Sequence, residues 1–91
     1  MAKFFSADSF DGVDVSPKNG TDFTLEELQS LVGGYIEVLP LGETHLMVVN
    51  DEGKLKGLPI NVRATHLFRL AYETNDCIVG NALICKTSEI K

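Results

Sequence analysis

The stretch from Phe23 to Gly34 constrains the fold more than any other part of the chain. Thr24 followed three residues later by Glu27 is a capping box, in which each side chain bonds the other residue's backbone amide and satisfies two otherwise orphaned donors. Phe23 stands just before the cap and Leu28 at the fourth helical position, the two places that form a hydrophobic staple. Leu25, Leu28, Leu31 and Val32 recur with helical period and make one apolar face. Gly33–Gly34 then supplies the left-handed residue that ends the helix. Isolated helices shorter than ~12–15 residues are marginal in water, so this one must lay its apolar face on a sheet.

The flanking residues supply that sheet. Tyr35–Ile36–Glu37–Val38–Leu39 reads as a strand stopped by Pro40. Leu41–Thr44 turns the chain, and His45–Val49 returns as a second strand of an antiparallel hairpin. Asn50–Gly53 is a further turn, with Gly53 free to take positive φ, and Lys54–Leu55–Lys56 pairs back as a short third strand. Asn61 caps a second helix, whose Ala64, Leu67, Phe68, Ala71 and Tyr72 form a stripe about three turns long. Cys77 to Cys85 reads as a buried strand, with a bulge or close backbone approach at Gly80–Asn81. Phe4–Phe5 and Val13–Val15 are two short strands ahead of a Ser16–Gly20 turn, and residues 1–20 carry the weakest pattern. The expectation is one α+β domain over residues 1–91 in the order ββ-α-βββ-α-β. It has an antiparallel sheet of four to six strands and two helices packed on one face.

Composition enters as a set of exclusions. A chain of 91 residues with 44% hydrophobic and 23% charged residues is an ordinary globular composition. Its net charge of −5 comes from 13 acidic and 8 basic residues. Nucleic acid binding needs a basic stripe, and the densest basic cluster is only Lys54–Leu55–Lys56, so no nucleic-acid partner is expected. The acids are scattered among lysines, which suits solubility better than imitation of DNA. On one continuous strand Cys77 and Cys85 stand about 26 Å apart, well beyond the ~4.4–6.8 Å between Cα atoms of a disulfide; both read as buried thiols. Met1–Ser6 lacks a signal-peptide apolar run, and no stretch approaches the ~18 apolar residues of a membrane helix. The expected setting is cytoplasmic, without membrane attachment.

Few residues of the chain offer catalytic or metal-binding chemistry. Nucleophilic catalysis needs a base oriented by a third group, and the imidazoles on offer are His45, at a strand start, and His66, beside the second helix's stripe. An enzyme would use one of them with an acid such as Glu43 or Asp76. The histidines and cysteines lack zinc-site spacing, and Asn50–Gly53 lacks the length and distal Glu of a calcium loop; no metal or cofactor is implied. Gly53–Lys54–Leu55–Lys56–Gly57 is not a P-loop. Yet two lysines between glycines, followed by Asn61 and Arg63 at a helix N-terminus, are groups that hold an anion. The same residues also have structural readings as turn, cap and solvated side chains.

Three blocks of the chain are similar to a known family: Leu25–Glu37, Val49–Asn61 and Asp76–Ala82, in that order. Together they span roughly residues 22–86. The family resembled consists of small proteins with a domain of unknown function, encoded largely by bacteriophages, prophages and other mobile elements. The resemblance implies a setting, an accessory protein made during phage growth, and transfers no catalytic residue. The resulting expectation is a non-enzymatic module that binds a small anionic, nucleotide-like ligand or a host factor and so counters host defence. The ligand residues would be Asn50, Lys54, Lys56, Asn61, Arg63 and Asn81. The alternatives are a protein-interaction module that inhibits a host protein, with Tyr35 and Phe10 as contact residues, or a small enzyme. A homodimer is compatible with each, since a domain this small often completes its core by self-association.

Overall fold

A computed structural model describes residues 2–90. Among them five strands form one antiparallel sheet: β1 (Ala2–Phe5), β2 (Val13–Val15), β3 (Ile36–Leu41), β4 (His45–Asn50) and β5 (Ala82–Lys86), in the spatial order β2-β1-β5-β4-β3. Helix α1 (Leu25–Val32) lies between β2 and β3, and α2 (Val62–Tyr72) between β4 and β5. The α+β class, the antiparallel sheet, both helices and the two N-terminal strands are as the sequence leads one to expect.

The helices do not share a face. Side chains alternate across a strand, and the two apolar clusters divide along that alternation. Val48, Leu83 and Cys85 pack with Ala2, Phe23, Leu28 and Val32 under α1. Met47, Val49 and Ala82 pack with Ala64, Phe68 and Ile78 under α2. The central strands β4 and β5 are therefore buried on both sides, which is why Met47, Val48 and Val49 run apolar without a polar break. That unbroken run is the signal that the sheet is covered twice.

Local chemistry explains the element ends. The Thr24 hydroxyl accepts from the Glu27 amide at 3.2 Å, and the Glu27 carboxylate accepts from the Thr24 amide at 3.0 Å. Gly33 closes α1 with φ of 82°, a conformation that carries no Cβ penalty in glycine. Phe23, Leu28 and Val32 are buried, whereas Leu25, expected on the same apolar face, points to solvent. Asn61 caps α2, its carbonyl oxygen accepting from the Ala64 amide at 3.0 Å.

Three strand boundaries differ from expectation. Pro40 does not stop β3, which runs on to Leu41. β3 is an edge strand, where a missing N–H need not cost a ladder bond, and the Tyr72 hydroxyl donates to the Pro40 carbonyl. Lys54–Leu55–Lys56 is no strand: residues 51–57 coil as successive turns, with the Lys56 amide donating to Glu52 O at 2.9 Å and Leu58 to Gly53 O at 3.0 Å. Three residues between two glycines gain more from local bonds than from pairing with a distant edge. The strand expected from Cys77 to Cys85 begins only at Ala82. Residues 77–79 instead run alongside Ile60, where Val79 forms an isolated antiparallel bridge. The break falls at Gly80, with φ of 77° and Leu58 packed so closely that a Cβ would meet its Cδ1 at 2.8 Å. Both cysteines are free thiols.

Candidate binding site

The α2 face of the sheet carries a depression beside β3. Glu37 and Leu39 project on this side of β3, next to Val49 of β4, with which Glu37 is paired in register. Phe68 of α2 closes one end. The 51–57 turn and the 76–79 segment form two facing walls around a recess of about 210 Å³. Gly53 holds the walls together: it is buried, and a Cβ there would stand 2.8 Å from Val79 Cγ2. The turn needs glycine for this close approach, not for the positive φ read from the sequence, which occurs at Gly57.

Polar groups ring the mouth. The Lys54 ammonium pairs with the Asp76 carboxylate across the two walls. That carboxylate also accepts from the Cys77 amide at 2.9 Å. The lysine, and after it the amide, holds the Asp76 carboxyl below its ordinary range, and the carboxylate in turn raises Lys54. Arg69 anchors the wall from α2, its guanidinium donating to the carbonyls of Asp76 (3.0 Å) and Asn75 (2.9 Å). Glu37 and Asp51 also line the recess, and among the described residues neither carboxylate has a hydrogen bond or ion pair. Three carboxylates thus face one ammonium over a floor of Leu39, Val49, Phe68 and Ile78.

Beyond Phe68 the same face continues as a shallow apolar groove between the far half of α2 and the β3–β4 hairpin, lined by Leu41, Leu67, Leu70 and Ile84. Leu70 is 68% exposed.

The six residues read as an anion site do not converge. Asn50 is buried, donating to Val32 O at 3.1 Å and accepting from the Glu52 amide at 2.8 Å. Asn61 has no exposed surface; its amide nitrogen donates to Phe5 O and Gly80 O, each at 2.9 Å. Asn81 accepts from the Ala7 amide at 3.1 Å and donates to Leu31 O at 3.4 Å. These three asparagines are structural ties. Arg63 lies 5.3 Å from the centre of the Phe10 ring, at the β1–β2 connection. Lys56 sits on the other side of its turn, beside Gly34, Tyr35 and Glu52. Lys54 and Asn50 alone of the six border the recess. His45 and His66 are both exposed; His45 Nδ1 lies 2.8 Å from Thr44 Oγ1, and Asp76 is taken by Lys54.

The recess residues that sequence reading did not assign to a binding site are Glu37, Asp51 and the 76–79 wall, of which Asp76 was read only as an acid beside a histidine. One signal for Glu37 was present: it shares the alternation of Leu39 and Leu41, a carboxylate on an otherwise apolar strand face. For Asp51 and Asp76, 25 positions apart in the sequence numbering, proximity depends on how two loops dock, and no local pattern carries it.

No helix among the described residues is long and apolar enough to cross a membrane, and none of their His, Cys, Asp and Glu side chains group as a metal site. Residues 12–91 match the family described as Domain of unknown function (DUF3846). No curated protein and no solved structure matches the chain.

Proposed function

We propose that this chain, which belongs to the DUF3846 family over residues 12–91, is a non-enzymatic binding module that engages a partner protein through the α2 face of its sheet. The observation that carries this reading is the juxtaposition on that face of an apolar groove with Leu70 standing out beside it and a recess whose carboxylates at Glu37 and Asp51 have no hydrogen bond among the described residues. An apolar patch next to polar groups with open hydrogen-bonding capacity is how interfaces are composed. Strand addition is a poorer mode for this chain. The β3 edge is interrupted by Pro40, which has no N–H to offer, and the carbonyl of Pro40 is already occupied by Tyr72.

A nucleotide-like anion has less support. Drug-sized ligands occupy sites of roughly 300–1,000 Å³, larger than the 210 Å³ recess, and its charged lining residues are the acids Glu37, Asp51 and Asp76 against Lys54. With the mobile-element setting that the resemblance implies, the partner is a host protein, and occupying it interferes with its work in defence.

The test is a comparative capture from bacterial host lysate with three versions of the chain. Wild type and Leu25→Asp, altered on the solvent side of α1, recover the same protein; Leu70→Asp does not. Equal recovery by Leu70→Asp contradicts the assignment of the α2 face.

A further inference from the structure

We propose that the recess beside Glu37 receives an arginine side chain of the partner, an inference that rests on the α2 face being the binding surface. Three features of the recess select that group. Its volume of about 210 Å³ is below the range that holds a drug-sized molecule, ~300–1,000 Å³, and suits one long side chain. The floor of Leu39, Val49 and Phe68 is apolar, which matches an aliphatic stem that carries its charge outward. At the mouth, the carboxylates of Glu37 and Asp51 have no hydrogen bond or ion pair among the described residues, and Glu37 acts on the Lys54 ammonium only through space. A planar guanidinium serves two carboxylates at once through its fixed fork of donors, whereas an ammonium acts as a single point charge.

The chain's own Lys54 shows that the mouth accepts a side-chain cation. It sits on Asp76 with 57% of its side chain exposed, against 55% for Asp76. Exposed pairs of this kind are weak and exchange readily with solvent or a competing charge. An incoming guanidinium therefore meets two open carboxylates and a third that Lys54 can yield. It leaves no buried charge unpaired, the condition under which a desolvated ion pair is costly.

The experiment titrates the isotope-labelled full chain with N-acetyl-arginine amide, using N-acetyl-citrulline amide as the neutral control of the same shape, and follows backbone amide resonances. The expected result is saturable shifts at Asp51, Gly53, Cys77 and Ile78 with the arginine derivative and none with citrulline. The double variant Glu37→Gln/Asp51→Asn weakens binding about tenfold, the loss expected for two charge-assisted hydrogen bonds in a solvated site. Both substitutions replace exposed side chains, and unchanged resonances elsewhere confirm that the fold is kept. Equal shifts with citrulline, shifts centred away from the recess, or no saturable shift overturn the inference. If arginine fails while Leu70→Asp still abolishes capture, this inference falls and the face assignment stands. If Leu70→Asp captures the partner normally, the face assignment falls and takes with it the proposed role for the recess.

Discussion

The two faces of the sheet each carry a recess beside an outer strand, and the two recesses differ in a way that volume does not reveal. On the α1 face the gap lies toward β2, a recess of about 230 Å³ bordered by Val15, Phe23 and Leu31. On the α2 face it lies toward β3 and measures about 210 Å³. The carboxylate beside the first gap, Glu27, is fully committed. It accepts from the Thr24 and Lys18 amides, each at 3.0 Å, and these backbone bonds hold its pKa below the ordinary value. Beside the second gap Glu37 and Asp51 accept no hydrogen bond from any described residue, and Glu37 meets Lys54 only as a charge through space. Two cavities of nearly equal size therefore have different meanings: one is the by-product of a helix cap, the other has open bonding capacity. What marks a site here is polar groups without an internal hydrogen bond.

The largest effect should come from removing what both faces share. β1 lies between β2 and β5, giving Ala2 to the α1 cluster and the buried Phe5 to the other side, although the family match starts only at residue 12. Deleting residues 1–11 should abolish the cooperative thermal transition followed by circular dichroism. A sharp transition in the truncated chain would mean that the sheet closes without β1.

Next in size is Asn61→Ala, which removes the α2 cap and leaves the carbonyls of Phe5 and Gly80 without their donor. A lost cap costs ~1 kcal/mol and each buried unsatisfied group ~1–3 kcal/mol, so denaturant unfolding should register a loss of about 3 kcal/mol or more. Leu28→Ala, in the filled α1 core, should cost a comparable ~2–5 kcal/mol. Glu37→Gln, at the open recess, should leave stability within ~0.5 kcal/mol of wild type. If Glu37→Gln destabilises as Leu28→Ala does, the contrast between the two faces fails.

Acid sharpens the same comparison. Glu27 titrates below its ordinary 4.5 in the folded chain because the Thr24 amide, then the Lys18 amide, donates to it. A depressed folded pKa contributes stability that is present above 4.5 and lost as pH falls through the folded value. Glu89, whose carboxylate accepts from the Lys86 amide, acts in the same direction. Melting temperature should therefore fall below pH 4.5, and less steeply in Glu27→Gln. An unchanged acid slope in that variant would show the cap to be thermodynamically idle.

The smallest expected effect concerns Glu73, a non-glycine residue with positive φ, 50°, at the end of α2. Glu73→Gly removes a Cβ penalty of ~1–2 kcal/mol and adds chain entropy to the unfolded state worth somewhat less. A gain of about 0.5 kcal/mol is expected from denaturant midpoints.

Which parts were legible in the sequence follows the same division. The α1 cap, its staple and its glycine stop are contained in twelve consecutive residues, and each behaves as local rules require. Asn61 was legible as a cap, but not as the tie that also holds Phe5 and Gly80, since those partners lie 56 and 19 positions away. The six residues read as an anion site do not converge for the related reason that polar residues near turns are consumed by the turns: Asn50, Asn61 and Asn81 all close the backbone around them. The face assignment of the helices was recoverable from the unbroken apolar run Met47–Val49, which a sheet covered once does not need. The recess was not, because its two walls meet through Gly53 against Val79 and Lys54 on Asp76, contacts between loops that no local pattern encodes.

Cys77 offers the most direct test of the central claim, that the recess face is the working surface. It lines the recess and is partly exposed, whereas Cys85 is fully buried and its thiol is pushed up to about 11, chiefly by burial. At neutral pH a maleimide should therefore modify Cys77 alone in the folded chain. In complex with the captured partner, the alkylation rate of Cys77 should fall at least tenfold. An unchanged rate in a complex known to be intact would place the partner on another surface and contradict the account.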